Sequence, residues 1–216
     1  MSFKTTIRQS VYDVFRLTYF FRVFYIRTRA ELPLILNRRG LTGEGVEVGV
    51  WKGEFSNFLL GAWKGTKLYS VDPWKNFEPE VYIDDMNMSQ REFDVIFINV
   101  KKLLDRFNSR SKIIRGLSVN AAALFKNGSL DFVYLDARHD YEGVKEDMQA
   151  WYDKVKQGGI IGGHDYLDKT IGKTLFGVKP AVDEFVKANK LKAFITDKDI
   201  YPSWFIIKPI TEGRTK

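Results

Sequence analysis

Cysteine is absent from this 216-residue chain. That removes disulfides, thiolate metal sites and cysteine nucleophiles together, and it fits a reducing compartment, so a cytoplasmic location is expected. Histidine occurs only as His139 and His164, which restricts imidazole chemistry to two places. No stretch of about twenty uninterrupted apolar residues is expected to cross a membrane, because Arg16 and Arg22 break the aromatic-rich segment Val11 to Ile26. The segment also lacks the uninterrupted apolar core and small-residue cleavage site of a secretory signal. Internal repeats, heptad seams and low-complexity tracts are missing too.

What is present is ordinary globular material, 44% hydrophobic and 28% charged, enough for one well-filled α/β domain. The net charge of +7 is unevenly placed: Met1 to Gly40 holds eight basic and two acidic residues, a net of +6. The rest is close to neutral, which argues against a long phosphate-binding groove and hence against a nucleic-acid partner. The expected organisation is residues 1–40 as basic aromatic helices and 41–216 as the main domain. Three readings fit the helices: packing on the domain or in a homodimer, a cover over the substrate, or an interfacial membrane helix. Pro33 is expected to end or offset a helix before a second short one reaches Arg39.

The stretch Gly45 to Trp74 organises the rest. Val46 and Val48 read as a strand leading into Gly49, and Gly53 opens a helix whose Phe55, Phe58, Leu59 and Ala62 recur at helical spacing. Gly49 supplies backbone angles closed to other residues, and Gly53 lets a ligand or the sheet approach the helix start. Lys67 to Val71 reads as a second strand ending at Asp72, where a carboxylate can accept both hydroxyls of a ribose. A nucleoside site follows, with Asp72 exposed and adding little to the core. The dinucleotide fingerprint fails, because Trp51 stands where its second glycine should be.

The remaining pattern, Glu-x-Gly-x-x-x-Gly from Glu47 to Gly53 with Asp72 downstream, resembles the first motif of class I S-adenosylmethionine-dependent methyltransferases. The resemblance implies that Glu47 and Gly49 border the amino-acid end of S-adenosyl-L-methionine and that Asp72 holds its ribose. Trp51, Gly53 and Trp74, which flank these positions, are counted with the cofactor-binding residues.

A polar loop from Asn76 to Gln90 carries Asp84, Asp85, Asn87 and Ser89, and its length fits either a binding loop or plain surface. Ser89 can cap a helix running to about Phe107. Ile113 and Ile114 form a third strand ending at Gly116, Leu117 and Ser118. In the resembled fold that strand end passes the adenine, so these three are cofactor-wall candidates; Ser118 reads equally as the N-cap of a helix from Val119 to Phe125.

Leu130 to Leu135 reads as a strand delivering Asp136, and a helix with Val144, Met148, Trp151 and Val155 inward follows, punctuated by Gly158-Gly159. Ile160 to Gly163 is a glycine-thinned strand ending at His164-Asp165-Tyr166. Asp136, His139, His164 and Asp165 therefore meet on the sheet edge that carries Gly49 and Asp72. Val178 to Asn189 reads as helix, Leu191 to Thr196 and Trp204 to Lys208 as strands, and Asp165 to Gly177, with Lys169 and Lys173, as a substrate-side loop.

The run from Asp131 to Tyr166 resembles the family of small bacterial methyltransferases called methyltransferase domain 24, related to sugar and macrolide O-methyltransferases, over roughly Glu44 to Pro209. The resemblance implies a Rossmann-like α/β fold with a seven-stranded sheet in order 3-2-1-4-5-7-6. Its last strand is antiparallel, helices cover both faces, and the amino-terminal helices are extra. It also implies a divalent metal on Asp136 and Asp165, with His164 or Tyr166 as the departure from the usual acid or amide. Carboxylates suit Mg²⁺, whereas a histidine favours Mn²⁺, Fe²⁺ or Zn²⁺. A metal-free site, with Asp136 orienting substrate or cofactor directly, is the alternative.

His139, titrating near neutrality, is the expected base for the acceptor hydroxyl, with Asp136 as its catalytic partner. The expected activity is methyl transfer from S-adenosyl-L-methionine to a small-molecule hydroxyl. Two rivals stand beside it: a metal-independent N-methyltransferase, and a non-catalytic nucleoside-binding module that docks through its amino-terminal helices.

Overall fold

A computed structural model describes residues 26–78 and 83–210. The aromatic-rich stretch up to Tyr25 lies outside the described residues, and so do the readings placed on it. A 3₁₀ turn at Arg29–Glu31 leads into α1 (Leu32–Arg38), and Pro33 lies in the first turn of this helix. Pro33 thus opens the second short helix, where the missing N–H costs nothing.

The central sheet is built from β1 (Glu44–Val48), β2 (Lys67–Asp72), β3 (Ser111–Arg115), β4 (Leu130–Leu135) and β5 (Val155–Gly163). It is completed by β8 (Ala193–Ile195) and β9 (Trp204–Ile207), giving the order β3-β2-β1-β4-β5-β9-β8. Strands β1 to β5 pair in parallel, and β9 runs antiparallel to both β5 and β8. This is the expected seven-stranded methyltransferase order once a separate hairpin, β6 (Lys169–Ile171) and β7 (Thr174–Phe176), is set aside. The segment read as a plain substrate-side loop therefore contains paired strands, turned by Gly172 at φ 59°.

Helices cover both faces. On one side α2 (Glu54–Ala62) and α3 (Gln90–Leu104) pack with Leu59, Trp63, Phe93 and Val100 against Phe132 and Tyr134. On the other, α4 (Ser118–Ala122), α5 (Tyr141–Tyr152) and α6 (Val178–Ala188) bring Ala121, Met148, Trp151 and Val182 against Val46, Val133 and Ile161. Adjacent residues Phe132 and Val133 point to opposite cores because side chains alternate along a strand, and β4 is buried throughout for that reason. Among the described residues no helix is long and apolar enough to cross a membrane.

Three local readings are corrected. Val155 belongs to β5, opposite Leu130, and α5 stops at Tyr152; the pair Gly158-Gly159 lies inside the strand, where the register with β4 shifts. Leu117, not Ser118, is the N-cap of α4, because the Ser118 hydroxyl accepts from Trp151 Nε1 at 2.9 Å. Helix α3 ends at Leu104 and continues as a 3₁₀ turn through Phe107. Its start is as read: Ser89 and Glu92 form a reciprocal capping box.

Candidate active site

The carboxyl ends of β1, β2, β4 and β5 converge on a cavity of about 450 Å³. Its floor is the turn after β1. Gly49 has φ 85°, and a Cβ there would overlap the main-chain carbonyl of Asp136, so only glycine lets β1 and β4 end side by side. Gly53 has φ 78°, yet the neighbour a Cβ would meet is the Val100 side chain of α3 at 3.2 Å. That glycine admits a helix rather than a ligand.

Asp72 lines the cavity but is neither exposed nor free. Its Oδ2 accepts from the N–H groups of Val50 and Trp51, both at 2.9 Å, and its Oδ1 from Trp74 at 2.7 Å. Burial pushes its carboxyl up, and these three N–H groups together with Arg115 oppose the shift. A carboxylate offers roughly four acceptor sites, so room remains for a single ribose hydroxyl rather than two. The carboxylate that faces the nucleoside position also ties the β1 turn to the β2 end.

Glu47 is 1% exposed and points to the α2 face, where its carboxyl accepts from the Ser56 hydroxyl. Burial pushes it up to about 8, only partly offset by Ser56; at neutral pH it is mostly uncharged. Trp51 and Phe55 form cavity wall. Trp74 does not: it is fully buried, its ring packs on Phe97 and its Nε1 donates to the Trp51 carbonyl at 2.9 Å. Gly116, Leu117 and Ser118 also fall outside the cavity lining, Ser118 because its hydroxyl is engaged by α5.

The acids and histidines regroup in an unexpected way. Asp136, His139 and Asp165 each present a ligand atom, all within 4.8 Å of one another. His164 is not in this group; its Nδ1 faces Ser203 Oγ at 2.9 Å, and Ser203 also meets the Tyr134 hydroxyl at 3.1 Å. Ser203, just before β9, thus engages the Nδ1 side of His164, while its Nε2 stays 3.7 Å from Asp165 Oδ1 at the cavity wall. Asp165 adopts φ 53°, a left-handed turn that aspartate tolerates better than most residues, and its Oδ2 lies 3.2 Å from His139 Nε2. The trio expected with His164 forms with His139 instead.

Behind the imidazole, His139 Nδ1 lies 3.1 Å from Asp84 Oδ2, and the ring stacks on Phe176 of β7 at 5.0 Å between centroids. Burial lowers the histidine pKa, but the bonds to Asp136, Asp165 and Asp84 outweigh it and raise the value to about 11. With both nitrogens facing carboxylates, the imidazole of the metal-free cluster is held in its protonated form, and it gives up the Nε2 proton only where that nitrogen takes an ion. Without an ion in the trio, the ring is thus pushed well above the expected titration near neutrality.

Two residues of the site escaped the sequence reading. Asp84 stood only as one acid of a polar loop, and Arg29 only as one charge in a basic segment. Arg29 Nη1 donates to Asp136 Oδ2 at 3.2 Å, and its guanidinium lies 4.9 Å from the centre of the Phe55 ring. Among the described residues, Arg29 meets the Asp136 carboxylate, and protonated His139 meets those of Asp84, Asp136 and Asp165.

A zwitterionic nucleoside fits this cavity, with a carboxylate at the β2 end, a guanidinium and carboxylates at the β4 end and aromatic walls between. A divalent ion fits the trio on two grounds: two carboxylates and an imidazole nitrogen converge within 4.8 Å, and a carboxylate stands behind the other nitrogen of that imidazole, an arrangement that recurs at metal centres.

The family model described as methyltransferase domain matches residues 46–166. No curated protein matches the chain. An O-methyltransferase from Bacillus cereus in complex with SAH aligns with a TM-score of 0.58 and 13% identity over 93% of this chain and 91% of that one. An rRNA methylase from Streptococcus thermophilus aligns at 0.55 and 13% identity, covering 86% and 100%. A methyltransferase from Geobacter sulfurreducens aligns at 0.56 and 12% identity, covering 93% and 88%. At such identities these likenesses are of fold.

Proposed function

Because the chain belongs to the methyltransferase domain family and is an S-adenosylmethionine-dependent methyltransferase, we propose that it methylates a hydroxyl of a small molecule at a divalent-metal centre. The observation that carries the reading is the convergence of Asp136, His139 and Asp165 within 4.8 Å where β4 and β5 end at the cavity. His139 Nε2 and one oxygen from each aspartate would hold the ion, and Asp84 would fix the imidazole by accepting from Nδ1. The two carboxylates suit Mg²⁺, and the imidazole moves the preference toward Mn²⁺.

Methyl transfer from a sulfonium is an in-line displacement, so the protein's task is alignment and removal of a hydroxyl proton. A divalent ion held there would ease the second part by lowering the pKa of the acceptor hydroxyl, whose proton would pass to solvent at the mouth of the cavity. The chain's own residues supply the first. Asp72 and the Val50–Trp51 backbone hold the nucleoside end, and Trp51, Phe55 and Phe77 exclude water from the cavity. His139 then serves as ligand and orienter rather than base. The near-neutral charge beyond residue 40 supports a small acceptor over nucleic acid.

Turnover of S-adenosylmethionine against a panel of hydroxylated and amino-bearing small molecules tests the proposal. Activity on hydroxyls, lost on exhaustive chelation and regained with Mn²⁺ or Mg²⁺, is the expected result. Full activity after chelation would overturn the metal centre, and methylation confined to amines would overturn the acceptor class.

A further inference from the structure

The sheet order β2-β1-β4 places Asp72, Gly49 and Asp136 in sequence along one edge. With the ribose at Asp72, the methionine tail of the cofactor would cross Gly49 and end beside Asp136. That tail carries a carboxylate, which needs a cation in a cavity whose far end is already crowded with acids. Among the described residues, three side chains of fixed positive charge line the cavity: Arg29, Lys52 and Lys75. Lys52 and Lys75 are exposed, their ammonium groups over the Trp51 and Phe77 rings.

Arg29 differs in its burial and in its anchoring. It lies at the β4 end, partly buried, against Phe55 and Asp136. Its main chain is pinned, because its N–H donates to Asp199 Oδ2 at 2.9 Å and that oxygen also accepts from Thr196 Oγ1 at 2.8 Å. The side chain therefore starts from a fixed point, and its guanidinium lies over the Phe55 ring where it reaches Asp136. Of the five guanidinium donors, Nη1 serves Asp136, and the Tyr134 hydroxyl lies close enough to engage another. Enough of the planar fork remains to take a second carboxylate in two-pronged fashion.

We infer that Arg29 binds the carboxylate of the cofactor's methionine tail, an assignment that rests on the methyltransferase reading and extends it to a residue before the family's matched region. A guanidinium between two carboxylates also explains how an anionic tail can lie beside Asp136 without repulsion.

The test compares S-adenosylhomocysteine, which keeps the carboxylate, with 5′-methylthioadenosine, which keeps the nucleoside and thioether but lacks the tail. Calorimetry on the full chain should show Arg29→Ala binding S-adenosylhomocysteine about 10- to 100-fold more weakly than wild type. Affinity for 5′-methylthioadenosine should change by less than about twofold, and Arg29→Lys should recover part of the loss. Arg29→Gln, which preserves length and packing, replaces the alanine variant if circular dichroism shows that variant unfolded. Equal affinity of variant and wild type for S-adenosylhomocysteine would overturn the inference, as would an equal loss for both ligands. A wild-type protein that binds neither would overturn the cofactor assignment itself, and this inference with it.

Discussion

His139 Nδ1 and Asp84 Oδ2 lie 3.1 Å apart although 55 residues separate them in the chain. The contact closes the loop after β2 onto the loop after β4. Asp85 extends the closure, accepting from Lys173 N–H at 3.0 Å while its own N–H donates to Thr174 Oγ1 at 3.0 Å. Loop and β6–β7 hairpin are thereby stitched over the imidazole, and Asp84 fixes which way His139 Nε2 points.

Asp84→Asn tests that orienting role without removing bulk. An amide accepts more weakly than a carboxylate and can turn its own N–H groups toward the ring, so the imidazole loses its fixed aim. Mn²⁺ affinity, read by electron paramagnetic resonance of the free ion, is expected to fall about 10- to 100-fold, with the melting temperature little changed. Unchanged Mn²⁺ affinity would remove Asp84 from the centre.

What the sequence made legible was local. Gly49, Gly53, Asp72, Asp136 and Asp165 are all strand-end or turn positions, and a strand followed by a glycine or an acid marks the ligand edge of a parallel sheet. The choice between His139 and His164 was not legible. It depends on Ser203, just before β9, engaging one ring, and on Asp84 and a left-handed Asp165 holding the other. Both are contacts between segments far apart in the chain. Arg29 was hidden for a similar reason: in a basic segment one arginine looks like the next until its main chain is seen tied to Asp199. Asp72 was located from the sequence, but its three backbone bonds were not foreseeable, because they depend on how Trp51 and Trp74 turn.

Glu47 predicts a pH-dependent stability. Its folded pKa is about 8 against an ordinary 4.5, so between those values the folded state holds a proton that the unfolded state has lost. The contribution of the protonated acid is fully present below about pH 4.5 and is lost as pH rises through 8. Glu47→Gln keeps an acceptor for Ser56 and cannot ionise. Denaturant unfolding of the cofactor-free protein should find the two alike near pH 5, with the variant gaining by on the order of a few kcal/mol at pH 9. Parallel profiles would show that Glu47 is not the buried acid described.

The two turn glycines should respond differently to alanine. At Gly49 a methyl group meets fixed main chain of the neighbouring strand, at Gly53 only the Val100 side chain. Both also adopt left-handed angles. Gly53→Ala is expected to cost about 1–2 kcal/mol and to keep cofactor binding. Gly49→Ala should cost more than about 3 kcal/mol, because β1 and β4 cannot separate without losing their pairing. Urea unfolding curves that placed the two within experimental error would contradict the close approach at Asp136.

Asp72 should reveal two roles at once. Alanine there leaves the N–H groups of Val50, Trp51 and Trp74 without their acceptor, so the turn that forms the cavity floor loosens. A charge-assisted bond contributes about 1.5–3 kcal/mol, but water can reach part of the turn and the three are not additive, so a loss of about 2–4 kcal/mol in stability is expected. S-adenosylhomocysteine binding should fall by more than the single ribose bond implies, since the floor moves as well. Asp72→Asn separates the contributions. Its one oxygen can still accept from Val50 and Trp51, while its amide turns donors toward Trp74 and the ribose side. This variant should keep most of the stability and still lose about tenfold in affinity. If calorimetry finds asparagine binding as tightly as aspartate, then Asp72 acts only as the anchor of the turn, and the nucleoside's hydroxyls are held elsewhere in the cavity.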